Sequence, residues 1–352
     1  MSAPIPDDPA ASAAGRWWPR LLKVGLTAAA GYLTWRLLAG IAWSELEARL
    51  VEARPLPLAL AAVALLARFA AWDARFRLAA RRVTGTNPGA LLGFFVLLAS
   101  AALNLLTPSA RVIGGLVRAR YVARANARPL GLFYGVVLFD QVAHHAVMIA
   151  CTWLAIIVTA PARGRPGLGL GAAAALAAAF AGLAAWSRNR PRSVAPAGAV
   201  PTGPLARFLA GRAALAEGRA QRFYAHGHEA LGVFARLLAD APLRAPAVAL
   251  GVAYFLLNAA AQWLVFAALG ARVDPLVVVT AVAVGNAAGL AAGTPGGLGV
   301  TEATMMPLYS AMGVDAATGA AGTLLFRGLH YATILAVGLP ALVVLELRGG
   351  KG

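Results

Sequence analysis

Eight ionisable side chains fall within otherwise apolar stretches of this chain: Arg68, Arg118, Asp140, His144, His145, Glu302, Arg327 and His330. In lipid each costs roughly 2.5 kcal/mol or more at the bilayer centre, so each needs a partner or a task. Glu302 stands in the string Thr294-Pro295-Gly296-Gly297-Leu298-Gly299-Val300-Thr301-Glu302-Ala303. Glycines there permit close backbone approach and left-handed dihedrals, and a helix starting just beyond them offers unpaired N–H groups to an anion such as a phosphate. Glu302 can equally complement the dipole of that helix, and Gly289, Gly293 and Gly297 have the spacing of a small-residue packing face. Asp140 with His144 and His145 does not make a metal site, because helical neighbours point to different faces and neither HExxH nor a cysteine cluster completes a ligand set. His226, His228 and Glu229 fall in a basic segment and read as solvated. There is no nucleophile elbow, P-loop or dinucleotide fingerprint, so no catalytic residue, metal or cofactor is expected and the chain is read as a non-enzyme.

The elements that must hold these residues follow from composition. Of 352 residues, 60% are hydrophobic and 13% charged, and the mean hydropathy is +0.71. No soluble class has that balance. The stretches 129–160, 168–187, 245–269, 275–292 and 317–347 are nearly charge-free and long enough to cross about 30 Å of hydrocarbon. They lack the alternation of barrel strands, so an all-α integral membrane protein is expected. The net charge of +17 is spread in short arginine clusters between these stretches, which suits an anionic membrane surface and not nucleic acid. Cys151, the only cysteine, allows no internal disulfide.

Positive charge accumulates on the cytoplasmic side of short loops, and this orients the spans. Arg16, Arg20 and Lys23 put the N-terminus inside and send a helix over 24–43 outward. The mixed-charge loop 44–55 is external. Helix 56–72 returns to Arg75, Arg77, Arg81 and Arg82, read as cytoplasmic. Residues 88–106 would then leave Arg111, Arg118, Arg120, Arg124 and Arg128 outside, unless the chain turns at Thr107-Pro108 and climbs back over 109–124. A proline suits such a turn. The same argument, run back from Arg348 and Lys351 at the cytoplasmic C-terminus, makes 275–312 a second hairpin entering from the opposite face. Six full transmembrane spans plus two oppositely oriented re-entrant helical hairpins result.

Domain boundaries follow: a disordered tail over 1–15, a first membrane half over 16–187 with hairpin 88–124, a cytoplasmic linker and amphipathic helix over 188–244, and a second half over 245–352 with hairpin 275–312. Placing Thr107-Pro108 on Thr294-Pro295 is a shift of 187 residues. It also carries 56–72 into the sixth apolar stretch and 129–160 onto the last, so an inverted repeat is expected, with broken helices meeting near the midplane. The shift lands Asp140 on Arg327. The two are expected to pair across the repeat axis, either for transport or only to lock two helices together.

The segment GNAAGLAAGTPGGLGVTEATMMPLYSAMGV, followed by Leu325-Phe326-Arg327, resembles the lysylphosphatidylglycerol synthase transmembrane family, also called flippase-like membrane proteins. Asn104 through Pro108, then Gly114-Gly115 and Arg118-Ala119, is similar to the first-half motif of that family, and the likeness covers roughly 90–345. Two departures stand out. Gly115 replaces an acidic residue, and Asp140-Gln141 with His144 stands where the family has Glu-Arg followed by Asp. Nothing in the chain resembles the soluble aminoacyl-transferase domain of the full-length synthases, so the resemblance implies lipid translocation and not lipid aminoacylation. The Gly114-Gly115 spacing is also similar to relatives linked to hopanoid lipids.

Together these readings give a flippase-like transporter that moves a phospholipid or other polar-headgroup lipid between leaflets of a bacterial-type inner membrane. Its expected partners are membrane lipids with anionic or polar headgroups, and a homodimer is compatible with it. The expected substrate-binding residues are Asn104, Pro108, Gly114, Arg118, Asp140, Pro295, Gly296, Gly297, Gly299, Glu302 and Arg327. A membrane subunit of a lipid-modifying enzyme and a non-transporting scaffold remain open alternatives.

Overall fold

A computed structural model of the chain describes residues 51–85, 88–106, 112–188, 204–215, 217–292 and 294–349. The expected first span over 24–43, the tail, the Thr107-Pro108 turn and most of the Pro/Gly linker lie outside the described residues. Among those described, all regular structure is helical: α1 (Pro55–Thr84), α2 (Ala90–Leu106), α3 (Val112–Ala125), α4 (Leu130–Ala162), α5 (Pro166–Arg188), α6 (Pro204–Leu215), α7 (Gly218–Ala239), α8 (Ala241–Ala268), α9 (Pro275–Ala292), a 3₁₀ turn (Pro295–Gly297), α10 (Val300–Ala311) and α11 (Ala316–Gly349). Five of these, α1, α4, α8, α9 and α11, are long and apolar enough to cross a membrane.

α1 runs well past 72, where hydropathy alone ends it. It starts on a proline at its first position and stops at Gly85, whose φ of 70° lets its amide close onto the Arg81 carbonyl. Phe69, Trp72, Phe76, Ala79 and Ala80 continue one buried stripe along it. Arg75 is therefore not part of a solvated basic segment, because that stripe carries it inward and leaves it 0% exposed, while Arg81 and Arg82 are exposed.

Helices α1 to α4 begin at Pro55, Ala90, Val112 and Leu130, and helices α8 to α11 at Ala241, Pro275, Val300 and Ala316, offsets of 186, 185, 188 and 186 residues. Each half contains two long helices that bracket a shorter pair. In the second half α9 and α10 are antiparallel, with Gly285 against Met305 and Gly289 against Thr301. In the first, α2 and α3 fold back on each other, the Gly114 amide donating to Asn104 Oδ1 at 2.9 Å. α1 packs along α8, and α2 along α11.

The basic segment over 204–240 is two helices, not the single surface helix its composition suggests, and α7 is not left to lie on lipid. Val233 and Leu237 of α7 are buried against Phe133 and Val136 of α4, and Gly131 and Gly135 give the helices room to approach. Leu205, Phe208 and Leu215 of α6 stay exposed.

The α2–α11 contact gives a stability test. A Cβ at Gly338 would lie 2.4 Å from the backbone oxygen of Leu98, which cannot rotate away. Gly338→Val is expected to destabilise the protein by about 1–3 kcal/mol, the cost of overpacking a tight core. It should lower the melting temperature in detergent, and an unchanged value would mean that α2 and α11 can separate freely.

Candidate functional site

One cavity of about 410 Å³ lies where the short helix pairs approach each other. Its wall takes residues from α1, α2, α3, α4, α8, α9, the 3₁₀ turn, α10 and α11, so the ends of both pairs face the same space. Buried charge is arranged around it in three clusters.

The first cluster is a chain of alternating charges. Asp140 on α4 accepts from Arg75 Nε at 2.7 Å, Trp72 Nε1 at 2.7 Å and Arg118 Nη1 at 3.2 Å. Arg118 Nη2 continues to Asp73 Oδ1 at 3.0 Å, and Arg77 Nε closes on the other oxygen of Asp73 at 2.6 Å. Arg75 also donates to the Asp140 carbonyl at 3.3 Å. Helical spacing explains the arrangement, since Trp72, Asp73 and Phe76 share the inward face of α1, where the Phe76 ring lies 3.8 Å beneath the Arg118 guanidinium. Burying such charges is costly, and an alternating hydrogen-bonded network is what makes it tolerable.

The second cluster sits at the turn before α10. Gly296 and Gly297 have φ of 58° and 71°, a region that side chains disfavour. The reversal presents the Gly296 carbonyl to Arg327 Nη2 at 2.7 Å. Arg327 Nε donates to Glu302 Oε1 at 2.6 Å, and its Nη2 also meets the Tyr331 hydroxyl. Arg327 thus ties the turn, the first turn of α10 and the last long helix together. Glu302 Oε2 is buried with no hydrogen-bond partner.

The third cluster lies between the halves. Arg68 of α1 donates to Asn258 Oδ1 on α8 and contacts the His330 ring on α11.

Of the expected site residues, Asn104, Gly114, Arg118, Gly296, Gly297 and Arg327 line the cavity. Asp140, Glu302 and Gly299 do not: the two carboxylates stand behind Arg118 and Arg327 as their counter-ions, and Gly299 is the N-cap of α10. Pro295 opens the 3₁₀ turn, and Pro108 lies outside the described residues. The expected pairing of Asp140 with Arg327 is not formed, because each finds an opposite charge nearer within its own half. Sequence reasoning missed Trp72, Asp73, Arg75 and Asn258. The inward stripe of α1 past residue 72 was the signal for the first three. Among the described residues no three His, Cys, Asp or Glu side chains are grouped to hold a metal.

Residues 20–338 match the family model described as "Lysylphosphatidylglycerol synthase TM region". No curated protein matches the chain significantly. The chain belongs to the lysylphosphatidylglycerol synthase TM region family, and with its apolar helices it is a multi-pass membrane protein.

Proposed function

From that membership we propose that the protein is a flippase-like translocator of a polar-headgroup lipid. The observation that carries this reading is a cavity walled by both short helix pairs. In the proposed arrangement α2–α3 and α9–α10 are re-entrant hairpins that enter from opposite faces of a bacterial-type inner membrane, as an inverted repeat with both termini cytoplasmic. The matching element offsets and the arginine clusters of the loops support this. A headgroup enters the cavity between the hairpin ends while its acyl chains stay in lipid. Ser100, Asn104 and Asn286 on the wall replace part of its lost hydration, and Arg118 and Arg327 supply charge. Asp140 and Glu302 hold those guanidinium groups in place.

The test is reconstitution of the purified protein in liposomes carrying a panel of fluorescent phospholipids, following their exposure on the far leaflet. Wild type is expected to accelerate movement of at least one lipid. Ala287→Trp, which puts an indole into the cavity from α9, is expected to slow it at least about tenfold, equivalent to about 1.4 kcal/mol. Movement that persists in Ala287→Trp at the wild-type rate would show that lipid does not pass through this cavity. A panel in which no lipid moves would favour the scaffold reading.

A further inference from the structure

Among the described residues, three arginines reach the cavity wall, Arg68, Arg118 and Arg327, together with three histidines, and no aspartate or glutamate does. The carboxylates that balance Arg118 and Arg327 lie behind them: Asp73 and Asp140 are 1% and 2% exposed and Glu302 is 5% exposed, and none of the three contributes to the wall. A ligand in the cavity therefore meets the guanidinium groups of Arg118 and Arg327 first and their counter-ions only at second distance. Protonation of any wall histidine adds positive charge and never negative.

The wall also contains aromatic rings, which in another setting would favour a cationic headgroup through ring faces. Here each of those rings already has a guanidinium or imidazole neighbour. The Arg68 guanidinium covers Phe69 at 4.6 Å and Tyr254 at 5.3 Å, and His144 stacks on Trp72 at 4.9 Å with the planes 7° apart. His330 is stacked on Phe326 at 6.3 Å. An incoming ammonium meets no carboxylate among the described wall residues and only rings that already carry a guanidinium or imidazole neighbour, whereas a phosphate oxygen meets guanidinium groups, donors of the kind that bind it best.

Resting on the lipid-transport reading, we infer that the cavity selects a net-anionic phosphate-ester headgroup without an amino group, and that it discriminates against aminoacylated phospholipids, whose added ammonium groups cancel the negative charge of the phosphate and, in the lysyl ester, reverse it. The cargo is thus the unmodified anionic lipid and not the aminoacylated product from which the family takes its name.

Binding is measured on the full-length protein in detergent by native mass spectrometry, with phosphatidylglycerol, phosphatidylethanolamine, lysylphosphatidylglycerol and soluble glycerol 3-phosphate as probes. Leaflet exchange of the three lipids is followed in parallel in liposomes. Phosphatidylglycerol is expected to bind at least about tenfold more tightly than lysylphosphatidylglycerol, with phosphatidylethanolamine between them. Asn286→Asp, which adds a carboxylate to the wall at constant volume, is expected to reduce that ratio below about threefold. Equal or tighter binding of lysylphosphatidylglycerol, or a ratio indifferent to Asn286→Asp, overturns the inference. Glycerol 3-phosphate binding as tightly as the lipid would also overturn it and reassign the site to soluble phosphate esters. The two readings fail separately. An anionic preference in binding with no lipid moving in liposomes removes transport and keeps the headgroup assignment. Faster movement of the aminoacylated lipid than of phosphatidylglycerol does the reverse.

Discussion

Arg327→Ala is expected to reduce lipid movement at least about thirtyfold, the rate equivalent of the 2 kcal/mol or more that truncating one member of a buried hydrogen-bonded charge pair costs. The side chain does three things at once. It neutralises Glu302, it holds the Gly296 carbonyl and so the shape of the turn, and it puts positive charge on the cavity wall. Arg327→Lys is expected to fail nearly as badly, because a single ammonium cannot span the Glu302 carboxylate, the Gly296 carbonyl and the Tyr331 hydroxyl together. Loss of the fold has to be separated from loss of the path. Arg327→Ala strands Glu302 as an unpaired buried charge, so its melting temperature should fall as well. The double variant Arg327→Met with Glu302→Leu replaces the pair by apolar groups and is expected to regain most of the melting temperature while remaining inactive in liposomes. Recovery of transport in that double variant would show that the guanidinium matters only for packing.

The second large effect falls on stability. Asp140→Leu removes the acceptor shared by Arg75, Trp72 and Arg118. Arg118 keeps Asp73, but Arg75 keeps no carboxylate, and at 0% exposure it has no access to water. Breaking a buried pair in this way costs about 3–5 kcal/mol. The melting temperature in detergent is expected to fall by about 10 °C, taking the 2–4 °C per kcal/mol of larger domains. Adding Arg75→Met should return part of the loss, since it removes the stranded charge. A fall of less than about 2 °C for Asp140→Leu alone would mean that water reaches the cluster and that the network does not hold α1, α3 and α4 together. Asp140→Asn, which keeps the shape and one acceptor, should lie between the wild type and Asp140→Leu.

Several elements were legible before any coordinates. The stretch 275–292 coincides with α9, and 88–106, 129–160 and 317–347 each match a helix to within a few residues. A helix must present about twenty apolar residues to cross lipid, and that pattern is local. The position of Glu302 in the first turn of α10 followed from Pro295 and the glycines after it, which cannot continue a helix. The end of α1 was misplaced by a dozen residues. Asp73, Arg75 and Arg77 read as a solvated basic segment when hydropathy is averaged, although face by face the stripe of Phe69, Trp72 and Phe76 goes on.

What the sequence alone determined is the solvent of this protein and the order of its helices, because lipid imposes a composition and a length on every segment irrespective of its neighbours. It also named most of the charges that matter, since an ionisable residue in an apolar stretch stands out against its local background. Which charge meets which was decided only by tertiary structure. Asp140 and Arg327 occupy equivalent places along the chain and were natural partners on that ground, but Coulomb attraction falls with distance, and packing brought Arg75 and Arg118 to one and Glu302 to the other. The sign of the cavity wall was decided in the same way. The chain supplies carboxylates and guanidinium groups to the same region, and only the packing of the helices turns the arginines toward the space and the acids away from it.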